Sequence, residues 1–246
     1  MADLILRDLS GIAEFLAAEA LQRAVWGHDD LPDPGDLMMV IQAEGGLCAG
    51  AFQDGRLVGY VFGFPTRQPA VQHSHRLAVL PDMRGTGLGA RLKWYQRDWC
   101  LARDITLVRW TFDPMRRTNA NLNIGHLGGS ARTYHADYYG EMKGINAGVP
   151  SDRLLVEWRL DDVNVALRAR RKPPPPPEAP FTRQVPIPPD FADLLANRPE
   201  QALAERLRVR SALTAAFDDH EEITGFDRLS GAYLWQQRGD EAPPIA

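Results

Sequence analysis

Residues 73–102 constrain the fold more than any other part of the chain. Residues 76–80, Arg-Leu-Ala-Val-Leu, form an apolar run of strand length, and Pro81 ends it because proline cannot donate to a sheet ladder. Three glycines then recur at alternate positions, 85, 87 and 89. This order predicts a strand, a short loop, a glycine-rich turn and a helix.

The helix after Gly87 is predicted by its period. One helical face carries apolar and aromatic side chains: Leu88, Leu92, Tyr95 and Trp99. Glycines without Cβ atoms let an anion approach the peptide N–H groups, and a helix N-terminus adds unpaired donors and a partial positive charge. Arg84 adds a fixed charge beside them. The segment therefore predicts a pyrophosphate-binding turn.

Two phosphate ligands compete for this turn. The pattern Gly85-x-Gly87-x-x-Ala90, with Asp113 after the next strand-like run, also fits the dinucleotide fingerprint of a nicotinamide-dependent oxidoreductase. In that fingerprint the first glycine follows the strand directly, whereas residues 81–84 intervene here. The preceding segments also predict an antiparallel hairpin rather than the start of a βαβ unit.

The second ligand follows from a resemblance. Residues 79–89, Val-Leu-Pro-Asp-Met-Arg-Gly-Thr-Gly-Leu-Gly, resemble the acyl-CoA pyrophosphate loop of the GCN5-related N-acetyltransferase (GNAT) superfamily. The resemblance implies acetyl-CoA or another acyl-CoA as co-substrate. It implies a set of cofactor-binding residues: Leu77, Ala78, Val79, Arg84, Gly85, Thr86, Gly87, Leu88, Gly89, Asn119 and Asn123. The alternative is a glycine-rich turn that binds nothing.

The amino-acid composition limits the classes of protein to which the chain can belong. The 246 residues are 44% hydrophobic and 24% charged, which allows a substantial core. The net charge of −4 argues against a dedicated nucleic-acid binder. Two cysteines are too few for a disulfide framework, and we see neither a signal peptide nor a membrane-spanning apolar run. We therefore expect a cytoplasmic protein with no membrane or nucleic-acid partner.

The element order predicts a mixed α/β fold. Residues 4–9 are a first strand, followed by a helix that Ser10 caps and that carries Ile12, Phe15, Leu16 and Ala20 on one side. Residues 28–34 are a loop. Strands at 47–53 and 56–64 are joined by Asp54-Gly55, a type I′ hairpin signal. Further strands are expected at 104–112, 134–139 and 153–160, with a short helix at 119–127.

Three parts are expected along the chain. Residues 1–160 form a GNAT-type domain with a mixed, mostly antiparallel central sheet flanked by helices. Residues 161–186 form a linker, because five prolines at 173–177 favour an extended polyproline II spacer. Residues 187–246 form a helix and hairpin extension that docks on the first domain or on a second subunit, as in a homodimer. A capping box at Asn197 and Glu200 begins its helix, with Arg206, Arg208 and Arg210 on the solvated side.

Acyl transfer to an amine also needs a base and can use an acid. His75 is the first candidate base, since strand alternation places it on the face of Leu77 and its ordinary pKa suits neutral pH. Asp113 is the second. The superfamily often has a tyrosine acid at the position that aligns with Ile124 here. Either Tyr134, Tyr138 or, in our assignment, Tyr139 replaces it, or so good a leaving group needs no acid.

The acceptor is expected to be a small-molecule amine. A little-characterised branch of the superfamily, some members of which are linked to N-acylation of amino acids, is resembled by the combination of residues 74–75, 110–114, 119–120, 127–129, 139–140 and 151–153. An amino-acid substrate needs a cation for its carboxylate, and Arg76 and Arg153 are the candidates. No metal site is expected, because no ligand cluster joins His73-x-His75.

These features predict an acyl-CoA-dependent N-acyltransferase that moves an acetyl or succinyl group by direct attack in a ternary complex. A CoA-binding sensor or interaction module without catalysis is the alternative, because Ile124 departs from the superfamily pattern at the acid.

Overall fold

The computed structural model describes residues 4–27, 30–141 and 148–239, and the chain divides into two compact units, Met1–Arg109 and Trp110–Ala246. The fold is mixed α/β with mostly antiparallel strands flanked by helices, so the predicted fold class is confirmed. Two residues of the predicted loop, 28 and 29, lie outside the described residues. In the described ranges, none of the helices combines the length and apolar character needed to cross a membrane.

The first unit contains one sheet in the order β1-β2-β3-β4-β5, antiparallel except where β5 runs parallel to β4. Its elements are β1 (Leu4–Asp8), α1 (Ile12–Trp26), α2 (Gly35–Ala43), β2 (Leu47–Gln53), β3 (Arg56–Pro65), β4 (Val71–Val79), a 3-10 turn (Pro81–Met83) and α3 (Leu88–Leu101). Strand β5 (Leu107–Phe112) begins in this unit and ends in the second. The strand order places the glycine-rich turn directly after the long strand β4.

The predicted hairpin is confirmed. Asp54 (φ 50°) and Gly55 (φ 78°) both have the positive φ that a type I′ turn requires. The register between β2 and β3 shifts after Ala51. A Cβ atom on Gly50 would lie 2.5 Å from the end of the Leu57 side chain and 2.7 Å from the end of the Leu9 side chain, so a larger residue here requires these leucines to move.

The first helix differs from the sequence prediction in its cap and its buried face. The N-cap is Gly11 rather than Ser10, and the Glu14 carboxylate instead accepts a hydrogen bond from the Ser10 N–H at 2.8 Å. The Ile12 and Leu16 side chains are about half exposed, whereas the buried positions of α1 are Phe15, Ala18, Leu21 and Gln22. Tertiary packing thus rotates the buried stripe from the predicted one.

The second unit contains strands in the order β7-β6-β9-β10-β8, with antiparallel pairing throughout. Its elements are α4 (Arg117–Ala120), which continues as a π-helical segment (Asn121–His126), β6 (Ser130–His135), β7 (Arg153–Arg159), α5 (Val163–Ala169), β8 (Arg183–Pro186), α6 (Phe191–Asn197), α7 (Pro199–Asp218), β9 (Glu221–Asp227) and β10 (Ala232–Gln237). Strand β6 ends at His135, so the strand predicted at 134–139 begins earlier and gives way to a turn.

The C-terminal helix also corrects the prediction. Asn197 is the last residue of α6, and α7 begins at Pro199 without a side-chain cap, so the capping box is wrong. Arg206 is only 2% exposed although an arginine on a charged helix was expected in solvent. The predicted division of the chain at residues 160 and 186 stays a prediction.

Candidate functional site

The glycine-rich turn of the first unit forms an open anion cradle. Gly85 (φ 76°) and Gly87 (φ 79°) adopt left-handed backbone conformations, and nothing lies within 4 Å of a Cβ placed on either one. Gly87 is the N-cap of α3, and neither a side-chain cap nor an acidic residue occupies the first turn of this helix. The first N–H groups of α3 therefore point to an uncrowded surface beside the exposed Arg84.

Helix α3 is held firmly behind this cradle. Leu88 and Leu92 are fully buried, as the predicted face requires. Tyr95 and Trp99 are half-buried, and both donate hydrogen bonds to the Asp8 carboxylate, at 2.9 and 3.2 Å. The Thr86 hydroxyl donates to the Met83 carbonyl at 2.8 Å and braces the turn before the helix. The cradle is thus preorganised rather than formed by a loose loop.

A β-bulge at His75 changes the face that its side chain occupies. Phe62 pairs with Arg76 and Gly63 pairs with Ser74, which leaves His75 unpaired. The Ser74 hydroxyl contacts Lys93 of α3 at 3.0 Å, and the side chain of Leu77 also lies against α3 at Gly89. His75 instead contacts Phe62 and Phe64. The prediction that simple alternation puts His75 on the face of Leu77 is therefore wrong.

His75 forms a dyad with Asp33. Its Nε2 lies 3.3 Å from the Asp33 Oδ1. Buried Gln22 fixes Asp33 through its backbone, accepting from the Asp33 N–H at 2.8 Å and donating to the Asp33 carbonyl at 3.3 Å. Burial raises the pKa of the Asp33 carboxyl, but the hydrogen bond to His75 and the charges of His75 and Arg76 outweigh it, so the net shift is downward. An ionised Asp33 can accept a hydrogen bond from His75 Nε2 and so orient the ring.

The neighbouring His73 is unsuited to the same task. Its ring stacks on Phe64 with centroids 4.8 Å apart. Burial, with the charges of His75, Arg109 and Lys93, lowers the pKa of His73 to about 4. It is therefore neutral at physiological pH, and within this pair the partly exposed His75 is the better candidate base.

Arg76, a predicted substrate-binding residue, is already paired in this conformation. Its guanidinium donates to Asp30 at 2.6 Å and to the Leu31 carbonyl at 2.9 Å, and its Nε lies 3.1 Å from Asp33. It also stacks over the Trp26 ring at 4.8 Å. A substrate carboxylate would have to displace one of these acidic partners.

Asp113, the second candidate base, lies in the second unit and is occupied by an arginine. Its two carboxylate oxygens accept from the Nη1 and Nη2 of buried Arg206 at 2.6 and 3.0 Å, and Oδ1 also accepts from the Met115 N–H at 2.9 Å. The Arg206 guanidinium stacks over Phe191 at 4.8 Å. This bidentate pair ties α7 to the end of β5 and favours a structural role for Asp113.

A second buried carboxylate organises the tyrosines of this unit. Asp152 is fully buried and accepts from the Tyr134 hydroxyl, from the Asp137 N–H and, at both oxygens, from Arg210. Burial and the hydrogen bond to Asp152 raise the pKa of Tyr134 far above its ordinary value. Tyr134 is therefore unsuited to protonate a leaving thiolate.

Tyr139 is placed differently. Its side chain is 58% exposed, and its hydroxyl lies 3.4 Å from the Thr111 Oγ1. The Arg153 guanidinium lies over its ring at 5.0 Å and donates to the Asp152 carbonyl at 2.8 Å. Burial lowers the pKa of Arg153 although Asp113 and Tyr139 act against the shift. The exposed Tyr139 hydroxyl is thus better placed than that of Tyr134 to exchange a proton.

The two asparagines differ in exposure, because a change of helix type separates them. Asn119 is exposed on α4, whereas Asn123 is 6% exposed within the π-helical segment. Ile124, at the superfamily's acid position, is fully buried. Only Asn119 presents its amide to solvent.

Sequence reasoning missed Asp33, Lys93 and Arg206. Asp33 lies 42 residues before His75 in a proline-punctuated loop, where nothing in the local pattern indicates a histidine partner. Lys93 and Arg206 lie on helices whose charged residues read as solvent-facing, yet each is 2% exposed.

Comparisons with known proteins agree with this geometry. The sequence profile of the acetyltransferase (GNAT) family matches residues 11–121, a range that includes β4, the glycine cradle and α3. No curated protein sequence gives a significant match.

Solved structures share the fold at low sequence identity. The ribosomal-protein-S18-alanine N-acetyltransferase of Escherichia coli is 17% identical with a TM-score of 0.54, over 65% of this chain and 96% of that one. An N-acetyltransferase of Staphylococcus aureus Mu50 is 12% identical with a TM-score of 0.55, over 65% and 100%. A phosphinothricin acetyltransferase of Sinorhizobium meliloti, solved in complex with AcCoA, is 17% identical with a TM-score of 0.50, over 63% and 86%.

Proposed function

We propose that the chain is an acetyltransferase of the GNAT family, whose profile matches residues 11–121, and that it transfers an acetyl group from acetyl-CoA to the amine of a small molecule, amino acids included. The observation that carries the proposal is the uncapped N-terminus of α3 behind Gly85 and Gly87, beside Arg84. Peptide N–H groups and a guanidinium suit a pyrophosphate, the anionic part of CoA.

Acetyl-CoA supplies the acyl group as a thioester, and the residues of the chain bind, orient and move protons. Backbone groups of Leu77, Ala78 and Val79 hold the thioester arm in this proposal. The amine nitrogen bonds to the carbonyl carbon, the carbon–sulfur bond breaks, and the nitrogen gives up a proton. His75 Nδ1, the ring nitrogen that does not face Asp33, takes that proton, and Asp33 holds the ring in place through Nε2.

The departing sulfur leaves as a thiolate that can accept a proton. The residue that supplies this proton stays a prediction: among the tyrosines of the second unit, Tyr139 has an exposed hydroxyl with no carboxylate partner in the described residues. Asp113 takes no part in proton transfer in this scheme, because Arg206 holds both of its oxygens.

The experiment measures release of free CoA thiol from acetyl-CoA and from succinyl-CoA against a panel of amines that includes the free amino acids. His75→Gln is compared with His73→Gln, the partly buried neighbour on the same strand. General-base catalysis contributes about 10²–10⁴-fold, so His75→Gln should lower kcat/KM by at least about 10²-fold while His73→Gln retains most activity. Equal activity of the two variants would contradict the assignment of the base.

The same assay separates catalysis from sensing. Thiol release that depends on an amine supports the enzyme. Tight CoA binding without release for any amine would favour a CoA-binding sensor instead.

A further inference from the structure

The second unit contains a cavity of about 730 Å³, within the range of about 300–1,000 Å³ that small-molecule sites occupy. One wall is the polar face of the β7-β6-β9-β10 sheet. It presents Ser130, Glu157, Glu222, Thr224 and Gln236. The opposite wall is built by α5 and the proline-rich segment. The cavity is therefore a space between a sheet and its covering segment.

Strand alternation shows that the Glu157 side chain faces this cavity. Leu154, Val156 and Trp158 on β7 are fully buried and point to the other face, into the core. Glu157 lies between the last two, so it projects to the opposite face. Its register partner on β6 is Ser130, which lines the cavity as well.

Glu157 is a buried carboxylate without a partner. It is 9% exposed, and across the described residues no hydrogen bond or ion pair reaches its side chain. Two other acidic residues of the lining already have hydrogen-bond partners. Arg132 donates to Glu222 at 2.6 Å, and Asp162 accepts from the N–H groups of Asn164 and Val165 at the start of α5.

The guanidinium groups of the lining do not neutralise Glu157. Arg168 donates instead to the Gly125 carbonyl, and Arg159 is exposed. The Glu157 oxygens are not among the fully enclosed unpartnered atoms, so the carboxylate is open to the cavity, where a cationic donor can give it a strong charge-assisted hydrogen bond. The group that best complements Glu157 is therefore a positively charged donor.

The covering wall indicates that the rest of the ligand is apolar. It consists of apolar side chains, mostly prolines: Pro174, Pro175, Pro177, Pro180 and Phe181. Phe181 is 38% exposed and adds an aromatic surface beside the cavity. An apolar body can contact this wall while a charged end reaches the sheet.

We propose that this cavity binds a small organic cation, an ammonium or guanidinium group on an apolar body, with the Glu157 carboxylate as its counterion. The site belongs wholly to the second unit, and its occupancy does not depend on acetyl transfer. Phenethylamine is a suitable probe, because 2-phenylethanol has the same shape and lacks the charge.

The test is ligand-observed saturation-transfer NMR on the full chain without CoA. The wild-type chain should bind phenethylamine saturably and bind 2-phenylethanol at least tenfold more weakly. Glu157→Gln, which keeps the side-chain shape, should weaken phenethylamine binding at least tenfold. Asp161→Asn removes an exposed carboxylate that does not line the cavity, so it should leave the affinity unchanged.

Three results would overturn the proposal: no saturable binding of the amine, equal binding of amine and alcohol, or equal affinity in Glu157→Gln and Asp161→Asn. The comparison of the two probes uses the unaltered chain, so it stands whatever Glu157→Gln does to folding. If the chain binds phenethylamine as expected but does not transfer acetyl groups, the proposed function is contradicted and the cation site is not.

Discussion

Lys93 is a fully buried lysine whose charge should make stability depend on pH. Its Nζ donates to the Ser74 hydroxyl at 3.0 Å and to Gln96 Oε1 at 2.8 Å, and its side chain is 2% exposed. Burial lowers the pKa of Lys93 from its ordinary 10.5 to about 7. The protonated form is therefore disfavoured in the folded chain.

The direction of the pH dependence follows from the number of protons that the folded and unfolded chains bind. Between pH 7 and pH 10.5 the unfolded chain holds a proton on Lys93 that the folded chain has released, so the free energy of unfolding rises with pH across this window. Below pH 7 both states are protonated and the contribution is constant. A difference of about 3.5 pH units, at about 1.36 kcal/mol per unit, corresponds to about 5 kcal/mol over the whole window.

Lys93→Met keeps the length of the side chain and removes the charge. Urea unfolding at pH 7.5 and pH 9 should show the wild-type chain gaining about 2 kcal/mol on the variant over this interval, at about 1.36 kcal/mol per pH unit. Lys172→Met, at an exposed lysine, should run parallel to the wild type. Parallel curves for the wild type and Lys93→Met would refute the reasoning.

Three further predictions concern the cradle, the buried pair and the dyad. Gly87→Val and Gly45→Val both place a side chain at positive φ with free space around it, so each should lower the free energy of unfolding in urea by about 1–2 kcal/mol. Only Gly87→Val should weaken acetyl-CoA binding in calorimetry. Arg206→Met removes the bidentate partner of Asp113 and leaves only the longer Arg116 contact at 3.7 Å, so it should cost about 3–5 kcal/mol. Adding Asp113→Asn should recover most of this loss, and a further loss in the double variant would contradict a charge-based cost. Asp33→Asn should lower kcat without changing the KM for acetyl-CoA, and an unchanged kcat would remove Asp33 from the mechanism.

Local sequence patterns predicted the elements that local physics determines. The Asp54-Gly55 turn and the amphipathic face of α3 depend on backbone φ angles and on a helical period, both of which can be read over a few residues. The same holds for the glycine cradle, because its positive φ angles require glycine. The loop was therefore predictable together with the strand before it and the helix after it.

Long-range pairing was not predictable in this way. Arg206 and Asp113 are 93 residues apart, and nothing in the helical period of α7 distinguishes an arginine that reaches a carboxylate from one in solvent. The sequence does not indicate the bulge at His75 either. A one-residue shift in register moves the side chains of a strand to its opposite face without any change in composition. The partner of the candidate base, Asp33, depends on that shift.

The most direct test of the central claim is calorimetric titration of the full chain with acetyl-CoA and, separately, with NAD. The cradle at Gly85 and Gly87 predicts saturable binding of acetyl-CoA, reduced in Gly87→Val and retained in Gly45→Val, with no binding of NAD. Binding of NAD in place of acetyl-CoA, or binding of neither, would contradict the account.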